Sequence, residues 1–436
     1  MLDIKYLREN PEEIKKKIAT KKADPSLVDD VLALDRDKRK LVAELELSQR
    51  ELNRLSKEIA KLFGQQKLDA VNQASQYSGK IKKIRPELEK LNQEYKETIY
   101  EIPNIPSDDT PVGKDESENV VAKKVGEPKK FDFEPKEHWE IGEKLDIIDI
   151  PRASKVSGSR FSFLKGELPL LQYALVQYAY SILTDESKLK EIAKKAGLNV
   201  STKPFIPVVP PVFIKPEPFE KMGRLEPKEE RYYIPSDDLF LIGSAEHTLG
   251  SMHMDEVIDE KDLPLRYAGF SLAFRREAGS YGKDVKGILR VHQFDKLEME
   301  SFTLPEDSLK EQDFIVAIQE YLMGSLGIPY QVVKICTGDM GGPDARQIDI
   351  ESWLPGQNKY RETNTSDMMT DYQARRLNTR VKRKNGEIDY AHMNDATAYA
   401  IGRTLIAIIE NYQQKDGSVK VPEVLQKYVR FNEIKR

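Results

Sequence analysis

Cysteine is almost absent: Cys336 is the single one in 436 residues. One thiol cannot make an internal disulfide, so no disulfide framework holds the fold and a reducing compartment is expected. Cys336 follows the apolar run Val332–Ile335 and reads as a small buried residue rather than a nucleophile. Long apolar runs are missing too. No stretch approaches the roughly eighteen residues of a membrane-spanning helix, so no membrane partner is expected. The opening MLDIKYLREN is charged from Asp3 and lacks the apolar block of a secretory signal, which leaves a cytoplasmic setting as the expectation. An excess of positive charge is lacking. The formal net charge is −4, so no overall field attracts nucleic acid, and any contact with a polyanion must come from local patches. Histidine is scarce, at positions 138, 247, 253, 292 and 392, and none pairs with cysteine or another histidine at a convincing zinc spacing. No structural zinc is expected. Neither G-x-G-x-x-G nor G-x-x-x-x-G-K-[ST] occurs, so a nucleotide site must be of another kind than a Rossmann fold or P-loop.

What is present is a charged chain, 33% Asp, Glu, Lys and Arg, long enough for two or three domains. Its first quarter carries two heptad seams. One runs through Leu27, Val31, Leu34, Leu41, Leu45, Leu52, Leu55, Ile59 and Leu62, with Lys38 and Ser48 filling the two gaps. The other runs through Ala70, Ala74, Tyr77, Ile81, Ile84, Leu88, Leu91, Tyr95, Thr98 and Ile102. Between them lies Phe63–Lys67, FGQQK, with a helix-breaking glycine. The spacing predicts an antiparallel coiled-coil hairpin over about 27–102, an arm of roughly 50 Å. Pro86 predicts a kink or a restarted helix. Outer positions carry Lys38, Arg39, Lys40, Arg50, Arg54, Lys57, Lys61, Lys80, Lys82, Lys83 and Arg85 among interspersed glutamates. Such a surface is an ordinary solvated face, a stripe that touches phosphates, or part of a dimerising coil; the short turn favours pairing within the chain. Before the arm, Asp3–Lys22 reads as a short helix with Pro11 at a helix start. After it, Pro103–Asn119 is rich in proline, aspartate and serine and reads as a linker. The division expected is thus 1–102, a linker at 103–119, and a body at 120–436.

The body reads as α+β. Helices are expected near 168–184, 187–196, 306–326, 367–380 and 395–412. Strands are expected at Phe161–Leu164, Phe205–Val209, Tyr232–Ile234, Leu239–Ile242, Leu265–Phe274, Leu289–Leu297, Tyr330–Ile335, Arg346–Trp353 and Lys359–Thr363. The densest chemistry lies in Ala273–Glu300, read as strand, glycine-containing loop, strand. Arg275 ends the first strand and Arg290 stands on the second, with Phe294 and Glu298 on the same face. Arginines placed so can clamp a triphosphate or a carboxylate, and an aromatic plane beside them suits a purine. The alternative is a charged surface hairpin with internal salt bridges. His292, between Arg290 and Phe294, either lines a nucleotide site or is a packed structural histidine.

With these residues in view the chain resembles the seryl-tRNA synthetases, which are class II aminoacyl-tRNA synthetases. The likeness spans nearly its full length, from the coiled coil through PNIPSDDTPVGKDESEN and KVSGSRFSFLKGE to DGSVKVPEVLQKYV. The resemblance implies a class II core of antiparallel sheet flanked by helices, binding a bent ATP with Mg²⁺. It places motif 1 at Leu170–Leu183 and the strand ending at Pro210-Pro211, motif 2 at Arg275–Glu298 and motif 3 at Asp395–Leu405. It implies that Arg275, Arg290 and Arg403 do the catalytic work. Arg275 would hold the α-phosphate and serine carboxylate, and Arg290 and Arg403 the triphosphate. Glu277 and Phe294 would contact adenine, and Glu362 and Thr365 the metal and ATP. Ser244, Glu246, Arg275, Glu298, Asp395 and Thr397 would bind serine, with Glu298 and Thr397 reading its hydroxyl. Ser244 stands where the family has threonine, and Asp395-Ala396-Thr397-Ala398 where it has Asn-Gly-Ser-Gly. Around 184–200 the chain is longer than the family pattern and reads as a surface insertion. The implied activity is activation of L-serine to seryl-adenylate and transfer to tRNA(Ser) with its long variable arm, and to tRNA(Sec) where present, by a cytoplasmic homodimer. Rival readings are an amino-acid:carrier-protein ligase, against which the arm argues, and a non-catalytic RNA-binding scaffold, against which the retained arginines argue.

Overall fold

The computed structural model describes residues 1–278, 284 and 286–436. They form two compact units, Met1–Ile105 and Pro106–Arg436. No described helix is long and apolar enough to cross a membrane.

The first unit begins with two short helices rather than one. Helix α1 (Ile4–Glu9) is capped by Asp3, whose side chain accepts from the Lys5 N–H at 2.7 Å. Asn10 separates it from α2 (Pro11–Thr20), where proline occupies a first-turn position that needs no donor. Helices α3 (Ser26–Ile59) and α4 (Gly64–Glu101) pair antiparallel along the heptad seams. Every seam position named above is at least partly buried, and Val31, Ser48, Leu55, Ala70, Ile81, Ile84 and Ile102 are fully so. Even the polar gap-fillers belong there: Lys38 Nζ lies 4.6 Å from the Tyr95 ring centroid, joining the two seams by a cation–π contact. Helix α4 is not restarted at Pro86 but runs through it, 38 residues long. Seam packing on both sides outweighs the one hydrogen bond that proline removes. At the base, Asp35 accepts from Arg8 at 2.7 Å and from Arg39 at 3.0 Å. Burial pushes the Asp35 carboxyl up, but these two cations outweigh it and hold it below the usual aspartate range.

The second unit is built on an eight-stranded sheet. Its strands are β1 (Val120–Val125), β2 (Ile206–Val208), β3 (Leu265–Phe274), β4 (Gln293–Thr303), β5 (Tyr330–Lys334), β6 (Arg346–Leu354), β7 (Lys359–Thr370) and β8 (His392–Ala400). Their spatial order is β1-β5-β6-β7-β8-β4-β3-β2. All pairings are antiparallel except the edge pair β2–β3, which is parallel. Helices α5 (Glu167–Leu183), α6 (Ser308–Ser325) and α7 (Ile401–Tyr412) bury their apolar faces in the main core.

The helix expected over 367–380 is instead the end of β7, followed by a short helix at Tyr372–Leu377. The helix expected from 395 starts only at Ile401; Asp395–Ala400 is strand. Alanines 396, 398 and 400 favour helix locally, but a central strand flanked by β4 and β7 gains hydrogen bonds on both edges, and that context wins. Strand β4 starts at Gln293, so Arg290 lies in the loop before it rather than on the strand. The strand read as reaching Pro210-Pro211 ends at Val208, since proline cannot donate to the ladder. The stretch 184–200 is not merely superficial: its helix, Glu186–Lys195, buries Leu189, Ile192 and Ala193 in the main core. From Pro106 on, the segment read as a linker is packed into the second unit. Ser107 N–H donates to the Ala345 carbonyl at 2.8 Å, and Asn119 bridges the Cys336 N–H (2.9 Å) and Asp339 (2.8 Å). Cys336 is fully buried.

Candidate active site

Two glutamines brace the sheet from behind. Gln319 of α6, fully buried, donates through Nε2 to the carbonyls of Thr365 (2.7 Å) and Thr397 (2.9 Å). Gln312 does the same for Arg346 (3.0 Å) and Ser366 (2.9 Å). Asn364 donates to the carbonyls of Thr397 and Ala398 at 3.2 and 2.7 Å. Strands β7 and β8 are thereby held in register, and β8 carries a bulge at Ala398, where its pairing with β4 steps from Leu297–Tyr399 to Glu298–Thr397.

A cavity of about 420 Å³ opens over the sheet, lined by Arg275, Glu277, Arg290, Phe294, Glu362, Thr365, Thr397 and Arg403, together with Arg224, Lys296 and Gln347. The remaining residues implied by the resemblance lie close beneath it. Ser244 Oγ donates to Glu298 Oε1 at 2.7 Å, and Lys296 pairs with that same carboxylate. Glu246 and Asp395 reach the cavity through Arg224, at 2.6 and 3.5 Å. The fold therefore gathers all of them, although their sequence positions span 244 to 403.

Arg275 is fixed by its backbone and its side chain. Its N–H donates to the His292 carbonyl at 3.0 Å, while His292 Nδ1 lies 3.0 Å from the Arg275 carbonyl. His292 does not line the cavity; it is a packed histidine that pins the strand end. Arg275 Nε donates to the Gly243 carbonyl at 3.0 Å, and its guanidinium lies 5.5 Å from the Phe294 ring centroid. Gly243 is in turn held by His247, whose Nδ1 accepts the Gly243 N–H at 3.2 Å. Burial drives His247 well below the usual histidine range despite the Glu246 carboxylate beside it, so it is neutral with its proton on Nε2.

Arg290 pairs with Glu277, which sits at a left-handed φ of +53°. The return of the loop is anchored by His138: its Nε2 accepts the Ile288 N–H at 3.1 Å, which directs its Nδ1 proton to Glu410, 3.2 Å away. Gly287, at φ +74°, passes so close that a Cβ there would lie 1.9 Å from His138 Nε2. Residues 279–283 and 285 of the glycine-containing loop lie outside the described residues. On the far side, Arg403 Nη1 contacts the Glu362 carboxylate at 3.1 Å and its carbonyl at 3.0 Å. Thr365 Oγ1 accepts from Gln347 at 3.3 Å. Asp349 lies beside this group; burial, then the Glu362 charge, push its carboxyl well above the usual range. Burial likewise raises Glu298, against the pull of Lys296.

Two buried cations escaped the sequence reading. Lys296 had a signal: a lysine inside an otherwise buried strand needs a partner. Arg224 had none, because the acids that surround it come from distant segments.

The profile of the Seryl-tRNA synthetase N-terminal domain matches residues 1–106, and that of the tRNA synthetase class II core domain (G, H, P, S and T) matches 231–412. A serine–tRNA ligase of Dictyoglomus turgidum is 41% identical over 100% of this chain and 99% of its own length. The chain belongs to the seryl-tRNA synthetase family. It is a ligase of class II, with the helical hairpin and core that both profiles describe. Among solved structures, seryl-tRNA synthetase from Pyrococcus horikoshii complexed with ATP superposes with a TM-score of 0.90 at 37% identity, covering 100% of this chain and 99% of that one. The cytoplasmic serine–tRNA ligase of Naegleria fowleri in complex with AMP gives 0.85 at 31% identity, with the same coverage.

Proposed function

We infer that this seryl-tRNA synthetase activates serine with ATP and transfers it to tRNA(Ser) at the cavity over the central sheet. The observation that carries the residue assignment is the juxtaposition of Arg275, Arg290, Arg403 and the Phe294 ring in one cavity with the buried Ser244–Glu298 pair beneath it. In the first step the serine carboxylate attacks the ATP α-phosphorus and pyrophosphate leaves. No covalent nucleophile is needed; alignment and positive charge are. Arg275, held by Gly243 and His292, is assigned to the α-phosphate and the serine carboxylate. Phe294 offers its ring to adenine, with Glu277 at the base edge. Arg290 and Arg403 are assigned to the departing phosphates. In the second step a ribose hydroxyl of the terminal tRNA adenosine, the 3′-OH, attacks the seryl carbonyl and AMP leaves.

Glu362 and Thr365 are assigned to a Mg²⁺ ion, and the donor set fits: oxygen ligands only, with the Asp349 carboxyl, raised by burial and then by the Glu362 charge, in the same group. Such an ion, when bound, neutralises phosphate charge. Serine is assigned to the Ser244–Glu298–Thr397 end with Glu246 and Asp395. Glu298 Oε2 is buried with no hydrogen-bond partner among the described residues, which suits an acceptor for a substrate donor. A pocket built so rejects alanine, whose missing hydroxyl leaves a buried acceptor unsatisfied at a cost of ~1–3 kcal/mol.

The arm is assigned to the long variable arm of tRNA(Ser). Of its outer cations, Arg39 and Arg54 are spent on neighbouring acids, whereas Arg50, Lys57, Lys61, Lys82, Lys83 and Arg85 are exposed and make no ion pair among the described residues. A homodimer is proposed from exposed apolar side chains on α5 and the neighbouring edge: Leu170 and Tyr173, each 53% exposed, with Ile206 and Val209. The Naegleria relative is named as cytoplasmic, and the same compartment is proposed here.

The test is ATP–pyrophosphate exchange. Arg275→Ala is expected to lose serine-dependent exchange while remaining folded. Near-normal exchange would remove the assignment. Serine-dependent exchange in the unmodified protein, followed by charging of tRNA with a long variable arm, separates this reading from a carrier-protein ligase.

A further inference from the structure

Behind the amino-acid end of the cavity one guanidinium collects four carboxylates. Arg224 Nε lies 2.6 Å from Glu246 Oε1, and its Nη2 lies 2.9 Å from Asp344, 3.5 Å from Asp367 and 3.5 Å from Asp395. Asp344 and Asp395 side chains are 2% exposed, and Arg224 itself 16%. The four acids come from four separate places: the short helix Glu246–Leu249, the loop before β6, β7 and β8. The backbone of Arg224 is clamped as well, since its carbonyl accepts from Arg231 Nε at 3.1 Å and Nη2 at 2.7 Å. A fifth acid, Glu300, stands directly opposite Asp395 on β4, fully buried, and neither oxygen has a hydrogen-bond partner among the described residues.

One cation cannot keep five buried carboxyls ionised. The structure divides them unequally. Burial, then the neighbouring acids, push Asp367, Asp395 and Glu300 well above the usual carboxylate range. Glu246 goes the other way. Burial opposes its charge, but the cations around it, Arg224 first, then Lys296 and Arg275, bring it to about 2. Distance explains the choice, since Glu246 is the acid closest to the guanidinium.

We propose that Arg224 is a positioning residue for serine recognition, holding the Glu246 carboxylate in place beside Ser244 and Glu298 to receive the substrate ammonium. The proposal rests on the reading of Glu246 as a serine contact. Without Arg224, Glu246 faces Glu298, Glu300, Asp367 and Asp395 on one side, and Lys296, Arg275, Arg231 and neutral His247 on the other. Its carboxylate then loses its nearest counter-charge and takes up a proton more readily, and a neutral acid holds an ammonium group weakly.

The experiment compares Arg224→Gln, the double variant Arg224→Gln with Asp344→Asn, and Glu246→Gln in pyrophosphate exchange with serine and ATP varied separately. Arg224→Gln is expected to raise the serine KM by roughly tenfold or more while the ATP KM stays within about twofold. Its serine kcat/KM is expected to fall further as the pH drops from about 8 to about 6, where the unmodified enzyme keeps Glu246 charged. The double variant removes one stranded acid with the cation, guards against loss of folding, and is expected to show the same serine-specific defect. An unchanged serine KM in either folded variant overturns the proposal, as does a parallel rise of both KM values without pH dependence. If Glu246→Gln raises the serine KM and Arg224→Gln does not, only the role of Arg224 falls. If Glu246→Gln also leaves it unchanged, the reading of Glu246 falls with it.

Discussion

Phe294 shows how much a single residue depends on its neighbours here. Its ring stands beside the guanidinium of Arg275, which is itself aimed by the Gly243 carbonyl and held at its backbone by His292. The ring adds a flat aromatic surface to a cavity that also carries Arg275, Arg290, Glu362 and Arg403. Phe294→Ala is expected to raise the KM for ATP by roughly 5- to 150-fold, the worth of one base–aromatic stack, and to leave the serine KM nearly unchanged. Steady-state exchange with each substrate varied in turn checks this. The motif-2 residues were legible because Arg275, Glu277, Arg290, Phe294 and Glu298 fall in one short stretch of sequence. Arg224 was not legible, because nothing local distinguishes an arginine that will meet Asp344, Asp367 and Asp395 from one on the surface.

At the level of elements, buried amides and one ion-pair cluster carry the precision. Gln319 reaches from α6 into carbonyls of β7 and β8, so it ties the strand bearing Thr365 to the strand bearing Thr397. Gln319→Leu keeps the volume and leaves those carbonyls without their side-chain donor. It is expected to destabilise the second unit by about 1–3 kcal/mol, read as a lowered midpoint in thermal or urea unfolding. In the first unit, Asp35 ties α1 to α3 through Arg8. Since its folded value lies below the unfolded one of about 3.9, its contribution is present above that pH and lost as pH falls through the folded value. Asp35→Ala is expected to cost about 1–2 kcal/mol at neutral pH, allowing for the screening of half-exposed Arg8. The difference from the unmodified protein should shrink in acid, which urea titrations across pH would show. Strand β8 marks where local pattern fails: its alanines favour helix, yet two neighbouring strands claim its backbone.

Over the whole molecule, the chain falls into two units, to which tRNA binding and catalysis are assigned. The arm's outer cations differ from one another: some are neutralised within their own helix, and those that remain form the candidate phosphate contacts. Replacing residues 45–88 by a short glycine turn keeps the Lys38–Tyr95 contact and the Asp35 cluster. Serine-dependent pyrophosphate exchange is expected to survive. Charging of tRNA(Ser) is expected to fall by roughly 10- to 1000-fold and to lose most of its salt dependence. Aminoacylation at two salt concentrations tests both expectations, and unaltered charging would remove the arm from tRNA recognition.

Periodicity alone determined the hairpin, because a coiled coil is a local code: apolar residues three and four apart specify both the helices and the face they share. Local composition likewise marked the motif-2 strands, and the matching strings from end to end carried the family. Only the tertiary structure decided which strand Asp395 lies on, that Arg290 stands in a loop, that 106–119 packs into the core, and that one arginine sits among four acids. These depend on contacts between residues far apart in the chain, where burial and charge are set by what the fold brings near and not by what lies next in sequence.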